Sequence, residues 1–350
     1  MPDRHRVLTS SRRRVAVILL VAALAPANVG VAAAQDPSPE AGGPLTVYSG
    51  RSESLVGPVL ERFEQASGVD VEVRYGDSAE LAALILEEGD RSPADAFFAQ
   101  DAGALGAVGQ AGLLARLDDG LLDRVDPAFR DPEGSWVGIS GRARTIAYTT
   151  EDADLVLPAS ILDFTDPAWR GRIGWVPTNA SLQAFVTALR VLEGDDVARG
   201  WLEGIMANEP VDYPNNAAAV EGVAAGEVDV AFVNHYYLMR LLAEQGDDYP
   251  VAQHFFAGGD QGALVNVAGI GMLATSDQPE AVTALADYLL SPEAQTYFSE
   301  ATFEYPLIDG VPADPRLPEL ASIEAPDVDL SALADLKGTV ELLRAVGAIE

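Results

Sequence analysis

Two tyrosines stand side by side at Tyr236-Tyr237, directly behind an apolar run over 228–233 that reads as a buried strand. A residue just past the carboxyl end of such a strand faces the place where open α/β sheets hold their ligands. A phenol has an ordinary pKa of about 10, but a highly charged ion displaces its proton, as a bound metal does to water. Two phenolates are hard oxygen donors that suit a hard trivalent cation. Neighbours in a regular helix point about 100° apart, so both rings converge only from an irregular first turn. Adjacent tyrosines at such a junction also occur with one ring packed and the other exposed, and the pair alone does not decide between the two. A second place with chemistry is Thr178-Asn179-Ala180-Ser181, a polar turn between a strand over 172–176 and a helix over 182–192. Free backbone N–H groups at a helix start attract anions.

Enzymatic chemistry finds less support. Behind the N-terminal segment only His235 and His254 remain, the chain has no cysteine, and neither G-x-S-x-G nor H-E-x-x-H occurs. A secreted hydrolase working through carboxylates is the least favoured reading, since no carboxylate pair stands out by spacing.

The elements that would carry these residues follow from periodicity. Residues 45–50 form a buried strand stopping at Gly50. A helix follows, with Leu55, Val56, Val59, Leu60 and Phe63 on one face, Ser52 or Ser54 at its start and Gly68 at its end. A strand over 69–75, a helix over 78–88 and a strand over 94–98 complete a β-α-β-α-β start, which implies a parallel sheet with helices on its faces. The carboxyl-end rule then points at residues 49–54 and 99–103 as cleft segments. Arg142 and Arg144 sit in the middle of an extended, glycine-rich stretch over 136–148, residues 265–274 are extended again, and 330–346 reads as a terminal amphipathic helix. Two α/β units joined by extended crossings near 137–147 and 266–273 make a hinged clamp with its ligand site between the lobes. The expected division is 45–141 plus 270–317 for the N-terminal lobe and 142–269 plus 318–350 for the C-terminal lobe.

Composition sets the compartment. Arg4, Arg6, Arg12, Arg13 and Arg14 precede an apolar run over 15–25 and the small residues Ala32-Ala33-Ala34. A basic stretch, a short apolar stretch and an A-x-A site describe a secretory signal peptide over 1–34, followed by a linker over 35–44. The run is too short to serve comfortably as a membrane span. The protein is therefore expected to be exported, to a periplasm, a cell surface or the medium. The formal charge is −32, and removal of residues 1–34, with five arginines and one aspartate, takes it to −36. So acidic a surface repels nucleic acid and raises the local concentration of cations. Without cysteine there are no disulfides, thiolate ligands or lipid-modified cysteine anchor.

Several stretches carry a family resemblance: Val47-Tyr48-Ser49-Gly50-Arg51-Ser52-Glu53, then residues 87–95, Ser140-Gly141-Arg142-Ala143-Arg144, Pro177-Thr178-Asn179-Ala180-Ser181 and Asn234-His235-Tyr236-Tyr237. Over essentially all of residues 45–350 the chain resembles the ferric-iron-binding, bacterial transferrin-like members of the periplasmic solute-binding proteins. The resemblance implies an α/β fold of the type II periplasmic-binding-protein kind, with two α/β lobes joined by two extended hinge crossings. It implies a monomeric clamp that captures Fe(III) with a synergistic anion, phosphate or carbonate, and delivers it to an ABC transporter permease. Tyr236 and Tyr237 match the family's iron ligands, and Asn179, Ala180, Ser181, Asn216 and Asn234 its anion pocket. Arg142 matches an arginine that holds the anion in some members, and it serves equally well as an ion-pair partner in a hinge strand. Where many members carry a histidine and a glutamate, this chain has Ser52 and Gln100. Glu53, Asp101, Gln100 and Ser52 are the further metal candidates, Glu53 and Asp101 being equally suited to cap helices. The same clamp holding a small anionic organic solute, such as a phosphonate or sugar phosphate, is the alternative.

Overall fold

The computed structural model describes residues 43–350, so the signal peptide and most of the linker expected from the sequence lie outside the described residues. The chain runs through β1 (Leu45–Ser49), α1 (Glu53–Ser67), β2 (Val71–Tyr75), α2 (Ser78–Glu88), β3 (Ala96–Ala99), α3 (Ala102–Gln110), the one-turn α4 (Asp119–Leu122) and β4 (Trp136–Thr149). It continues with β5 (Ile173–Trp175), α5 (Ala180–Glu193), α6 (Asp195–Ala207), β6 (Val211–Asp212), α7 (Asn216–Ala224), β7 (Val230–Asn234), α8 (His235–Gln245) and β8 (Val251–His254). The last elements are β9 (Val265–Met272), α9 (Pro279–Leu289), α10 (Pro292–Thr302), β10 (Tyr305–Pro306) and α11 (Leu336–Ala345). The opening β-α-β-α-β unit is present as the periodicity required. α1 buries Val56, Val59, Leu60 and Phe63, one stripe at helical spacing, and stops where Gly68 turns left-handed at φ 76°.

The sheet is organised by β4. Its first half pairs antiparallel with β9, which pairs with β3, and β3 and β2 flank β1 in parallel. Its second half pairs with β7 on one edge and β8 on the other, and β7 leads in parallel to β5 and then β6. The hand-over falls between Ala143, opposite Val265, and Arg144, opposite Asn234. One buried strand thus belongs to both lobes of an α/β clamp. The second crossing is fixed to it at Leu264, whose carbonyl accepts the Arg144 N–H, just ahead of the range expected from the sequence.

The expected single helix over 330–346 is corrected. Leu330–Ala334 is a 3₁₀ turn, and α11 begins anew behind Asp335, whose carboxylate accepts the Gly338 N–H. The break has a packing cause. Ser331 is bound on the α3 side, by Gln110 at its carbonyl and by the Trp136 indole at its hydroxyl, whereas Thr339 of α11 bonds Thr187 of α5 at 2.7 Å. One straight helix cannot serve both neighbours. The turn comes so close to α3 that a Cβ on Gly106 would stand 2.4 Å from the Ser331 carbonyl oxygen. Gly106→Ala should therefore cost about 1–3 kcal/mol, read as a lower urea midpoint at unchanged slope.

Candidate metal and anion site

β7 is buried throughout and passes into α8 without a loop, Asn234 taking the extended N-cap conformation. Tyr236 and Tyr237 therefore fall in the first helical turn, and their ring centroids are 4.4 Å apart at 40°. Tyr236 is 3 % exposed and Tyr237 half-buried. Burial pushes the Tyr237 phenol well above its ordinary pKa, the neighbouring Tyr236 adds to this, and Asn216 and Arg142 pull the other way. The Tyr237 phenol is thus a neutral hydroxyl at physiological pH, and only a strongly charged cation would take its proton.

Facing the pair is the start of α5. Asn179 caps it, its side-chain oxygen accepting both the Ser181 N–H at 3.0 Å and the Ser181 hydroxyl at 2.6 Å. Arg144 reaches the same place from β4, donating to Ser181 Oγ at 3.3 Å and Asn234 Oδ1 at 3.2 Å, with its guanidinium over the Phe185 ring. It is 6 % exposed, and among the described residues it has no carboxylate within ion-pair distance. Burial lowers its pKa to about 10, while the two tyrosines act to raise it. Asn216, at the start of α7, is 1 % exposed and lies beside the Tyr237 phenol, whose pKa it lowers. Ser181, Asn234 and the tyrosine pair gather around Arg144, with Asn179 and Ala180 at the same helix start as Ser181 and Asn216 beside Tyr237.

The first lobe contributes differently. Arg142 donates to the Gln100 carbonyl and acts electrostatically on Asp101, Glu304 and Tyr237. The Gln100 side-chain oxygen accepts from Arg51, which forms a fully buried ion pair with Glu304 at 2.9 Å. Burial pushes the Glu304 carboxyl up, but Arg51, Arg142 and the Ser140 hydroxyl outweigh it and hold the carboxyl below its ordinary range. Asp101 caps α3 by accepting the Ala104 N–H, and burial raises its carboxyl. Glu53 is exposed on α1, where it acts on Tyr75. Ser52 is the exposed N-cap of α1, its hydroxyl 3.2 Å from that of Ser54. Among the described residues no cluster of three or more His, Cys, Asp or Glu could hold a metal.

Two residues escaped sequence reasoning. Arg144, rather than Arg142, stands at the α5 helix start. Residues two apart on a strand share a face, so the sequence could nominate both arginines without saying which one reaches α5. His235 has both nitrogens engaged inside the molecule. The Ala143 N–H donates to Nδ1 at 3.1 Å, and Nε2 lies 2.6 Å from the Phe303 carbonyl. An N–H can only donate and a carbonyl only accept, so the ring is neutral with its proton on Nε2.

A family described as bacterial extracellular solute-binding protein matches residues 59–325. The chain belongs to this family. The solute-binding protein is 32 % identical over 339 residues to the Fe(3+)-binding periplasmic protein of Serratia marcescens, covering 96 % of this chain and 99 % of that one. Its fold is similar to iron-bound HitA from Pseudomonas aeruginosa, with a TM-score of 0.80, 36 % identity and coverage of 87 % and 99 % of the two chains. It is similar also to the Trichodesmium protein solved with iron and citrate, with a TM-score of 0.75, 30 % identity and coverage of 87 % and 99 %. These relatives are binding proteins, not enzymes.

Burial lowers the His235 pKa from 6.5 to about 4, its hydrogen bonds offsetting part of the effect. The unfolded chain takes up this proton near pH 6.5 and the folded protein only near 4, so stability present above 6.5 is lost as pH falls towards 4. The metal-free protein should lose up to about 3 kcal/mol through this group. Urea unfolding across that window should show the slope, flattened in His235→Gln.

Proposed function

We propose that this chain is the exported solute-binding component of an ABC importer, taking up Fe(III) with a synergistic anion, phosphate or carbonate. The observation that carries the reading is Arg144, a buried cation that among the described residues has no carboxylate partner and lies against the two phenols and the start of α5. A trivalent ion would deprotonate Tyr236 and Tyr237 and bind their oxygens. The anion would lie against the α5 start at Asn179, Ala180 and Ser181, with Asn216, Asn234 and Arg144 around it and Arg142 flanking. Its charge then answers both the ion and the arginine. The Serratia relative is named for Fe(3+), and the Pseudomonas and Trichodesmium structures hold iron, the latter with citrate, which supports iron with an anion as cargo.

Of the first-lobe candidates, Gln100 and Asp101 both lie by Arg142, which also acts on Tyr237. Ser52 is free to approach on closure, while Asp101 serves α3 and Glu53 faces solvent. The lobes expected from the sequence, 45–141 with 270–317 and 142–269 with 318–350, would close about the hand-over in β4. Delivery to a permease, export to the periplasm and a monomeric state complete the proposal, with no nucleic-acid partner.

Adding Fe(III) with phosphate or carbonate to the metal-free protein should produce a visible tyrosinate-to-iron charge-transfer band. Tyr236→Phe and Tyr237→Phe should each weaken iron binding by more than the ~10–100-fold that changes around a ligand cost. A colourless mixture overturns the reading. If an organic phosphate then raised the melting temperature where iron did not, the clamp would hold an anionic organic solute instead.

A further inference from the structure

The segment where α10 turns into β10 belongs to the first lobe, since Tyr305 pairs with Gly141 of β4. It nevertheless grips the first turn of α8 in the second. The Phe303 carbonyl accepts the His235 Nε2–H at 2.6 Å, and the Thr302 carbonyl accepts from Arg240 at 3.5 Å. Arg240 lies over the Tyr236 ring at 4.9 Å, and the His235 ring packs on Tyr305 with centroids 4.8 Å apart. Phe303 has φ 58°, one of two non-glycine residues with positive φ among the described residues. So bulky a residue is rarely left-handed, and here that conformation caps α10, the Phe303 N–H bonding the Phe298 carbonyl. The next residue, Glu304, is held by Arg51 and Ser140, and Arg51 directly precedes Ser52 and bonds Gln100.

We infer that residues 302–304 form a clasp on His235 and Arg240 that sets the tyrosine pair in its binding geometry when the lobes are together. His235 is then a positioning residue. It ties the Tyr236-bearing turn to β4 through Ala143, at the hand-over between lobes, and to the first lobe through Phe303. Its two nitrogens are satisfied by two segments far apart in sequence, so the ring bridges them. The clasp joins the second-lobe phenols to the first-lobe residues around Arg51 in one chain of contacts, so separating the lobes loosens the phenols. Release of the cargo would begin by breaking it. The inference rests on iron being the cargo.

The test uses the exported protein loaded with Fe(III) and phosphate. His235→Leu removes both hydrogen bonds at similar volume, and His235→Gln keeps a donor for Phe303. Iron loss to excess chelator should be about 10–100-fold faster in His235→Leu, with a displaced charge-transfer maximum. His235→Gln should restore the wild-type band position and most of the retention. If His235→Leu does not fold, Arg240→Met, which removes the Thr302 contact, should accelerate loss in the same direction by a smaller factor. A coloured wild type matched in band and release rate by folded His235→Leu, or by Arg240→Met where that variant stands in, overturns the clasp alone. Equal damage in His235→Leu and His235→Gln overturns the role of the Phe303 bond. A colourless wild type overturns the iron reading and the clasp with it.

Discussion

Burying a guanidinium without a counter-charge is among the more costly things a fold can do, and Arg144 is such a group. Arg51 has Glu304, and Arg142 acts on Asp101 and Glu304. Among the described residues the partners of Arg144 are neutral: the Ser181 hydroxyl, the Asn234 amide and the face of Phe185. Burial lowers its pKa to about 10. Under the proposed function an anion would answer the charge of Arg144, and its own negative charge would help to hold a trivalent cation beside the phenols.

The rest of the architecture can be understood as the means of placing that group. β4 changes partners between Ala143 and Arg144, which puts Arg142 on the side of Gln100 and Arg144 on the side of Ser181. The β7–α8 junction has no loop, so Tyr236 and Tyr237 stand at a strand end that the sheet holds rigidly. The start of α5 lies against Arg144 and the start of α7 beside Tyr237, and the free backbone donors of a helix start favour negative charge. The strongly acidic composition of the chain concentrates cations around it.

Much of this could be read from the residues alone, because the signals were local. The opening β-α-β-α-β unit, the Gly68 stop, the Asn179 turn and the tyrosine pair each depend on neighbours in sequence. What failed was non-local. No periodicity reveals that residues 330–334 must dock on α3 while α11 docks on α5, so the break at Asp335 was invisible. Asp101 and Glu53 have the chemistry of a metal ligand and of a helix cap alike, and which of the two each serves depends on the fold: Asp101 accepts the Ala104 N–H at the start of α3, and Glu53 is exposed on α1. His235 has the side chain of a ligand, yet its partners, Ala143 and Phe303, lie 92 and 68 residues away. Sequence alone could assign neither arginine of β4 to its side, because that depends on where the strand changes sheets.

The central claim is that iron and anion complete one another at Arg144. Its most direct test is equilibrium competition for Fe(III) against a soluble chelator, repeated over a series of phosphate concentrations with wild type and Arg144→Met. If the two ligands share the site as described, the apparent iron affinity of the wild type rises with phosphate, phosphate binding tightens by the same factor when iron is present, and the dependence disappears in Arg144→Met. An iron affinity that stays flat across phosphate and carbonate, or one that responds equally in Arg144→Met, would contradict the account.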